Sequence, residues 1–227
     1  YYDIHKRGSV GKCMPFFDIK SADDGEVLII GDNVMKGYYN NPKATSETII
    51  DGWLHTGDVG KIDSDGYLFI TGRKKEIYVS SSGKNVAPLV IEETMKSIPI
   101  VSQCFLVGDG RKYCSALITL DMGVILRDKI GIDSNDIPKD PTEQIQMIIK
   151  NNKKLSDYTD NKDLYNEISD EIDRLNMNFS NPEQIKKFAI LPRDLSIDDG
   201  ELTPTLKIRR KQINENWQNV INNLYSD

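Results

Sequence analysis

Gly72-Arg73-Lys74-Lys75-Glu76 separates two textures of sequence. Before it, short apolar or alternating runs bounded by Gly, Asp and Asn predict strands at 26–30, 61–63 and 67–71, with a further one at 77–79 just beyond. Ser64-Asp65-Gly66 supplies a glycine for positive φ and predicts a hairpin turn, and Asp63 and Asp65 lack the twelve-residue ligand pattern of a calcium loop. This first third reads as a small β-rich unit.

After Glu76 the pattern becomes mixed. Pro88 opens an amphipathic stretch that predicts a helix over 88–98, followed by strands at 103–107 and 113–120 around the loop Gly108-Asp109-Gly110-Arg111-Lys112. Cys104 and Cys114 fall on those strands as small core residues. Residues 121–179 read as mostly helical, with Leu164, Ile168, Ile172, Leu175 and Phe179 on one face and Asn161 or Asp160 as the cap. A strand at 187–191, a turn over 197–207 and an amphipathic helix over 211–224 complete an α+β chain. The division expected is 1–72 for the β-rich unit and 73–227 for the α+β domain, with a helical insertion at about 121–179.

Composition narrows the function classes. The chain has 227 residues, 38% hydrophobic and 28% charged, enough for one large or two small globular domains. A net charge of −6 provides no basic footprint for nucleic acid, and the scattered tyrosines form no stacking platform, so no nucleic-acid partner is expected. Cys13, Cys104 and Cys114 are an odd count without metal-type spacing, which points to a reducing, cytoplasmic compartment. No apolar run approaches the roughly 20 residues of a membrane span, and no signal-peptide layout precedes Lys6. The absence of an initiator Met suggests a fragment.

Three residues stand out chemically. Asp58, in Thr56-Gly57-Asp58, offers two acceptor oxygens that suit the paired hydroxyls of a ribose, and Gly57 lets the backbone turn beside a ligand. Arg73 offers a fixed fork of donors for a ribose or phosphate oxygen. Lys207, in Leu202-Thr203-Pro204-Thr205-Leu206-Lys207-Ile208-Arg209-Arg210, puts a compact charge on a flexible stem, suited to a developing phosphate charge. Each alone reads as an ordinary surface turn or a solvated basic run. His5 and His55 read as packing or orienting groups and Trp53 as core.

Taken together, Gly25-Glu26-Val27, Met35-Lys36-Gly37-Tyr38-Tyr39, Gly52-Trp53-Leu54-His55-Thr56-Gly57-Asp58, Asp65-Gly66-Tyr67, Gly72-Arg73-Lys74-Lys75-Glu76, Asn85-Val86-Ala87-Pro88, Ile91-Glu92 and Lys207 resemble the AMP-forming, adenylate-forming superfamily. Gly83-Lys84-Asn85-Val86-Ala87-Pro88, Arg174-Leu175-Asn176-Met177-Asn178 and the stretch from Gly200 to Arg210 look most like its long-chain fatty acyl-CoA synthetases of the bubblegum-like type. The resemblance implies that Asp58, Arg73 and Lys207 bind ATP or AMP, that Lys207 is the catalytic lysine of adenylation, and that Lys75 is the hinge. Gly83, Lys84 and Asn85 would lie on the loop lining the CoA channel.

The same resemblance implies fatty acid, ATP, CoA and Mg2+ as substrates and cofactor. The phosphate loop, the fatty-acid pocket and the magnesium ligand would belong to a larger N-terminal domain, and residues 1–72 would be its last subdomain. Residues 73–227 would be the mobile C-terminal domain, and this chain alone is expected to have little or no ligase activity. Peripheral contact with a membrane would suit a fatty-acid enzyme, although no helix shows a basic polar face. Another adenylate-forming ligase, for an aromatic or amino acid, and a non-catalytic binding module derived from a synthetase are the alternatives.

Overall fold

The computed structural model describes residues 6–80 and 83–226, and His5 lies outside them. The chain divides into two compact units, Tyr1–Tyr78 with Ala87–Val90, and Val79–Val86 with Ile91–Asp227. The first unit is built from β1 (Gly11–Lys12), β2 (Phe17–Ser21), β3 (Glu26–Gly31), α1 (Pro42–Thr48), β4 (Ile49–Ile50), β5 (Trp53–Ile62) and β6 (Tyr67–Arg73). Its antiparallel sheet has the order β1-β6-β5-β3-β2, with β4 also paired to β5. Val27, Leu28, Tyr67 and Leu68 are its buried apolar residues. The hairpin between β5 and β6 closes as the sequence predicts, with Asp63 accepting the amides of Asp65 and Tyr67 and Lys6 bridging Asp63 and Asp65.

A single 3-10 turn, Lys74–Glu76, follows β6. Next come the paired strands β7 (Tyr78–Val79) and β8 (Asn85–Val86), then α2 (Pro88–Met95), β9 (Val101–Val107) and β10 (Cys114–Leu120). The helical stretch comprises α3 (Met122–Val124), running into a π-helical Ile125–Ile130, α4 (Pro141–Lys150), α5 (Ser156–Thr159) and α6 (Lys162–Asn176). β11 (Ile185–Ile190), α7 (Arg210–Asn216) and α8 (Gln218–Tyr225) finish the chain.

The second unit centres on the sheet β11-β10-β9, in which β9 and β10 are antiparallel and β11 returns parallel to β10. A parallel return needs a long crossover, and the helices from α3 to α6 supply it. On one side of the sheet Phe105, Val107, Leu117 and Leu191 pack with Leu195, Leu202, Ile213, Ile221 and Leu224. On the other, Tyr165 of α6 stacks on Phe188 of β11, with ring centroids 4.2 Å apart. Asn161 caps α6 by accepting the amides of Asp163 and Leu164, and Leu164, Ile168, Ile172 and Leu175 form its buried stripe. Each such side chain contributes about 2 kcal/mol by leaving water.

Several boundaries differ from the sequence expectation. α6 ends at Asn176, before Phe179, because the buried Asn176 carboxamide pairs with both backbone groups of Ile185 and so serves as a bracket to β11. α2 stops at Met95, since the amides of Ser97 and Ile98 turn back to Thr94 and Met95. The single C-terminal helix becomes α7 and α8, broken at Trp217, whose indole reaches Glu201. Trp53 is only half-buried, with the Lys20 ammonium 4.0 Å from its ring centroid. Among the described residues no helix is long and apolar enough to cross a membrane.

Candidate functional site

Thr56-Gly57-Asp58 does not form a turn; it lies inside β5. Two steps along β3, from Glu26 to Leu28, face four along β5, from Val59 to His55, so β5 bulges at these three residues. Gly57 takes φ 72°, a left-handed conformation that side chains disfavour. The Thr56 hydroxyl donates to the Val27 carbonyl at 2.7 Å and accepts the Asp58 amide at 3.1 Å. Asp58 stands directly opposite Arg73 of β6, and Arg73 Nε lies 2.8 Å from Asp58 Oδ1. The carboxylate is 31% exposed and the guanidinium 55%, so both can meet a ligand from solvent. Two of the residues expected to hold a nucleotide are therefore side by side.

Behind this pair sits a buried carboxylate. Glu26 accepts the Gly57 amide (2.9 Å), His55 Nδ1 (3.0 Å) and Lys74 Nζ (2.9 Å). Burial pushes its carboxyl up, but the bonds from Lys74, His55 and Gly57 prevail and hold it below the usual range. Lys74 also pairs with Asp24 at 2.6 Å, and the two acids raise its pKa. Lys75, exposed on the 3-10 turn, follows immediately.

Gly83, Lys84 and Asn85 are exposed in the second unit. Gly83 has φ 77° and open space where a side chain would start, and its amide donates to the Ser80 carbonyl at 2.9 Å. Ser81 and Ser82 of this loop lie outside the described residues.

Lys207 also belongs to the second unit, at an exposed loop tip. The loop is closed by the Leu202–Ile208 bridge, by the Thr203 amide donating to the Lys207 carbonyl (2.8 Å), and by the Lys207 amide donating to the Thr203 hydroxyl (3.0 Å). Leu206, just before the lysine, is held at φ 59°. Two buried acids fix the loop from below. Glu201 accepts both terminal nitrogens of Arg193 (2.7 and 2.9 Å), the Ser196 amide (3.1 Å), Asn216 (3.0 Å) and the Trp217 indole (2.8 Å). Glu92 receives a two-pronged grip from Arg210 (2.8 and 2.7 Å) together with the Leu106 amide (2.7 Å).

Glu26, Lys74, Glu92, Arg210 and Glu201 were not singled out individually by sequence chemistry. Glu26, Lys74 and Glu92 entered only as members of the motifs that carry the resemblance, and Glu201 and Arg210 only within the stretch from Gly200 to Arg210. Among the described residues no group of three or more His, Cys, Asp or Glu could hold a metal ion.

The fold is shared with solved structures of low sequence identity. The adenylation domain of a carboxylic acid reductase from Segniliparus rugosus, in complex with AMP and a co-purified carboxylic acid, aligns with a TM-score of 0.67 at 20% identity over 92% of this chain and 31% of that one. O-succinylbenzoate coenzyme A synthetase from Bacillus subtilis, in complex with AMP, aligns at 0.58 and 23% identity over 92% and 35%. The family model for the AMP-binding enzyme C-terminal domain matches residues 75–131 and 140–227, and the chain belongs to that family.

Among curated proteins it is 40% identical over 227 residues to the long-chain-fatty-acid–CoA ligase FadD15 of Mycobacterium tuberculosis, covering 97% of this chain and 34% of the relative. It is 38% identical over 233 residues to the human long-chain-fatty-acid–CoA ligase ACSBG1, covering 96% and 31%. The chain thus spans about a third of the length of these relatives.

Proposed function

We propose that this chain is the C-terminal part of a long-chain fatty acid–CoA ligase. The observation that carries the reading is the Asp58–Arg73 pair, 2.8 Å apart and reachable from solvent on adjacent strands of a chain in this family. Ribose hydroxyls would donate to the Asp58 carboxylate, and Arg73 would steady it while meeting a ribose or phosphate oxygen. Lys207 would place its ammonium on the α-phosphate, where negative charge grows as the fatty-acid carboxylate attacks phosphorus and pyrophosphate departs. In the second half-reaction the CoA thiol would attack the acyl carbonyl and expel AMP. Lys75 would act as the hinge between the two halves, and the loop at Gly83, Lys84 and Asn85 would line the pantetheine path. The remainder of an N-terminal domain would complete the ATP site, and peripheral contact with a membrane belongs to the proposal on the fatty-acid substrate alone.

The test compares both half-reactions in the full-length gene product and its Lys207→Ala variant, with palmitate, ATP and CoA. Adenylation should fall by about 100-fold or more in the variant, in line with loss of a transition-state charge contact, while preformed palmitoyl-AMP still reacts with CoA. Equal loss of both halves would remove Lys207 from its role. Activity confined to another acid would keep the mechanism and replace the substrate, and inactivity with every carboxylate would favour a binding module.

A further inference from the structure

Glu26 has no part in the chemistry above, yet it is bonded to a chain neighbour of each member of the Asp58–Arg73 pair. It is 4% exposed and remains ionised because three donors converge on it. One donor is the amide of Gly57, the residue before Asp58; another is the ammonium of Lys74, the residue after Arg73; the third is His55, at the start of the bulge. The bulge turns the Gly57 amide out of the β3 ladder, and the Glu26 carboxylate accepts it in place of a backbone carbonyl.

We propose that Glu26 is a positioning residue of the nucleotide site, holding the β5 bulge that presents Asp58 to a ribose and, through Lys74, the backbone from which Arg73 projects. This rests on the assignment of Asp58 and Arg73 to the ribose. Acting through Asp58, Glu26 shapes the grip on the ribose hydroxyls, so its removal weakens nucleotide binding and selection for those hydroxyls and leaves the fatty acid unaffected. An acid serving stability alone would lower the melting temperature and leave nucleotide selectivity as it was.

The experiment measures pyrophosphate release by the full-length enzyme with palmitate, using ATP, 2′-deoxyATP and 3′-deoxyATP. Wild type should prefer ATP, and Asp58→Ala should lose that preference. Glu26→Gln should raise the KM for ATP and narrow the preference by about tenfold each, the size expected when a hydrogen bond to a charged group is lost, with the KM for palmitate unchanged. A folded Glu26→Gln enzyme with wild-type ATP KM and preference overturns the proposal. Should that variant not fold, Lys74→Met decides: a rise in ATP KM of about threefold or more, with palmitate unaffected, supports the proposal, and no change overturns it. If Asp58→Ala keeps the preference, the ribose assignment itself fails and the proposal falls with it; loss there beside retention in Glu26→Gln condemns the Glu26 role alone.

Discussion

Replacing Glu201 by Ala tests whether buried acids hold the Lys207 loop. The side chain is fully buried, and its loss takes the acceptor from the Ser196 amide and the Trp217 indole and the main ion-pair partner from Arg193, which keeps Asp199 and the Asp194 carbonyl, while Asn216 keeps the Asp199 carbonyl. Breaking a buried ion pair costs about 3 to 5 kcal/mol. Arg193 is 37% exposed and can recover water, which favours the lower end, about 3 kcal/mol. The chain has two tryptophans, Trp53 in the first unit and Trp217 in the second. In a Trp53→Phe background, Trp217 fluorescence therefore follows the unfolding of the second unit alone. With a urea dependence of about 2 kcal/mol per M, the midpoint should fall by about 1.5 M. Glu201→Gln, which keeps the volume and one acceptor, should lose about 2 kcal/mol, since its oxygen replaces only one carboxylate oxygen and its amide nitrogen turns a donor toward the donors that met the other. Midpoints within about 0.3 M of the parent for both variants would refute the idea that this carboxylate anchors the loop.

The same acid sets a pH response. Burial pushes the Glu201 carboxyl up, but Arg193, Asn216, Ser196 and Trp217 outweigh it and the folded pKa lies below the ordinary value. A lowered folded pKa gives stability above the unfolded value that is lost as pH falls through the folded one, so the gap between parent and Glu201→Gln should be full at pH 7 and close as pH drops below about 4.3; an equal gap at pH 3 would contradict this. Gly60→Ala would bring a methyl to 2.7 Å from the Phe69 carbonyl and 3.0 Å from Val27, and should cost about 1 to 3 kcal/mol in a Trp217→Phe background read by Trp53. Lys75→Pro fixes φ at the proposed hinge and should slow one half-reaction of the full-length enzyme much more than the other; unchanged rates for both would refute the hinge assignment.

What could be read from the sequence was what short-range pattern decides. The α6 stripe, the Asn161 cap, the β5–β6 hairpin and the strands carrying Cys104 and Cys114 follow from periodicity and turn chemistry. Thr56-Gly57-Asp58 has the composition of a turn, yet pairing with β3 and β6 draws it into a strand, where Gly57 serves a bulge. The break at Trp217 and the end of α6 at Asn176 depend on partners outside the helices themselves, Glu201 and Ile185, which helical periodicity does not announce. The burial of Glu26, Glu92 and Glu201 was not legible, because an acid is buried only when donors from elsewhere converge on it.

The supports of the two cationic groups differ in when they can exist. Asp58 and Arg73 are one hairpin apart, so their pairing closes a short loop and can form as soon as β6 has left the ribosome. Arg210 grips Glu92 across 118 residues, and the α7 and α8 side chains that seal the sheet beneath the Lys207 loop are made after every strand of that sheet. During synthesis the pair on β5 and β6 is thus available early, whereas the lysine gains its footing only after α7 and α8 have emerged.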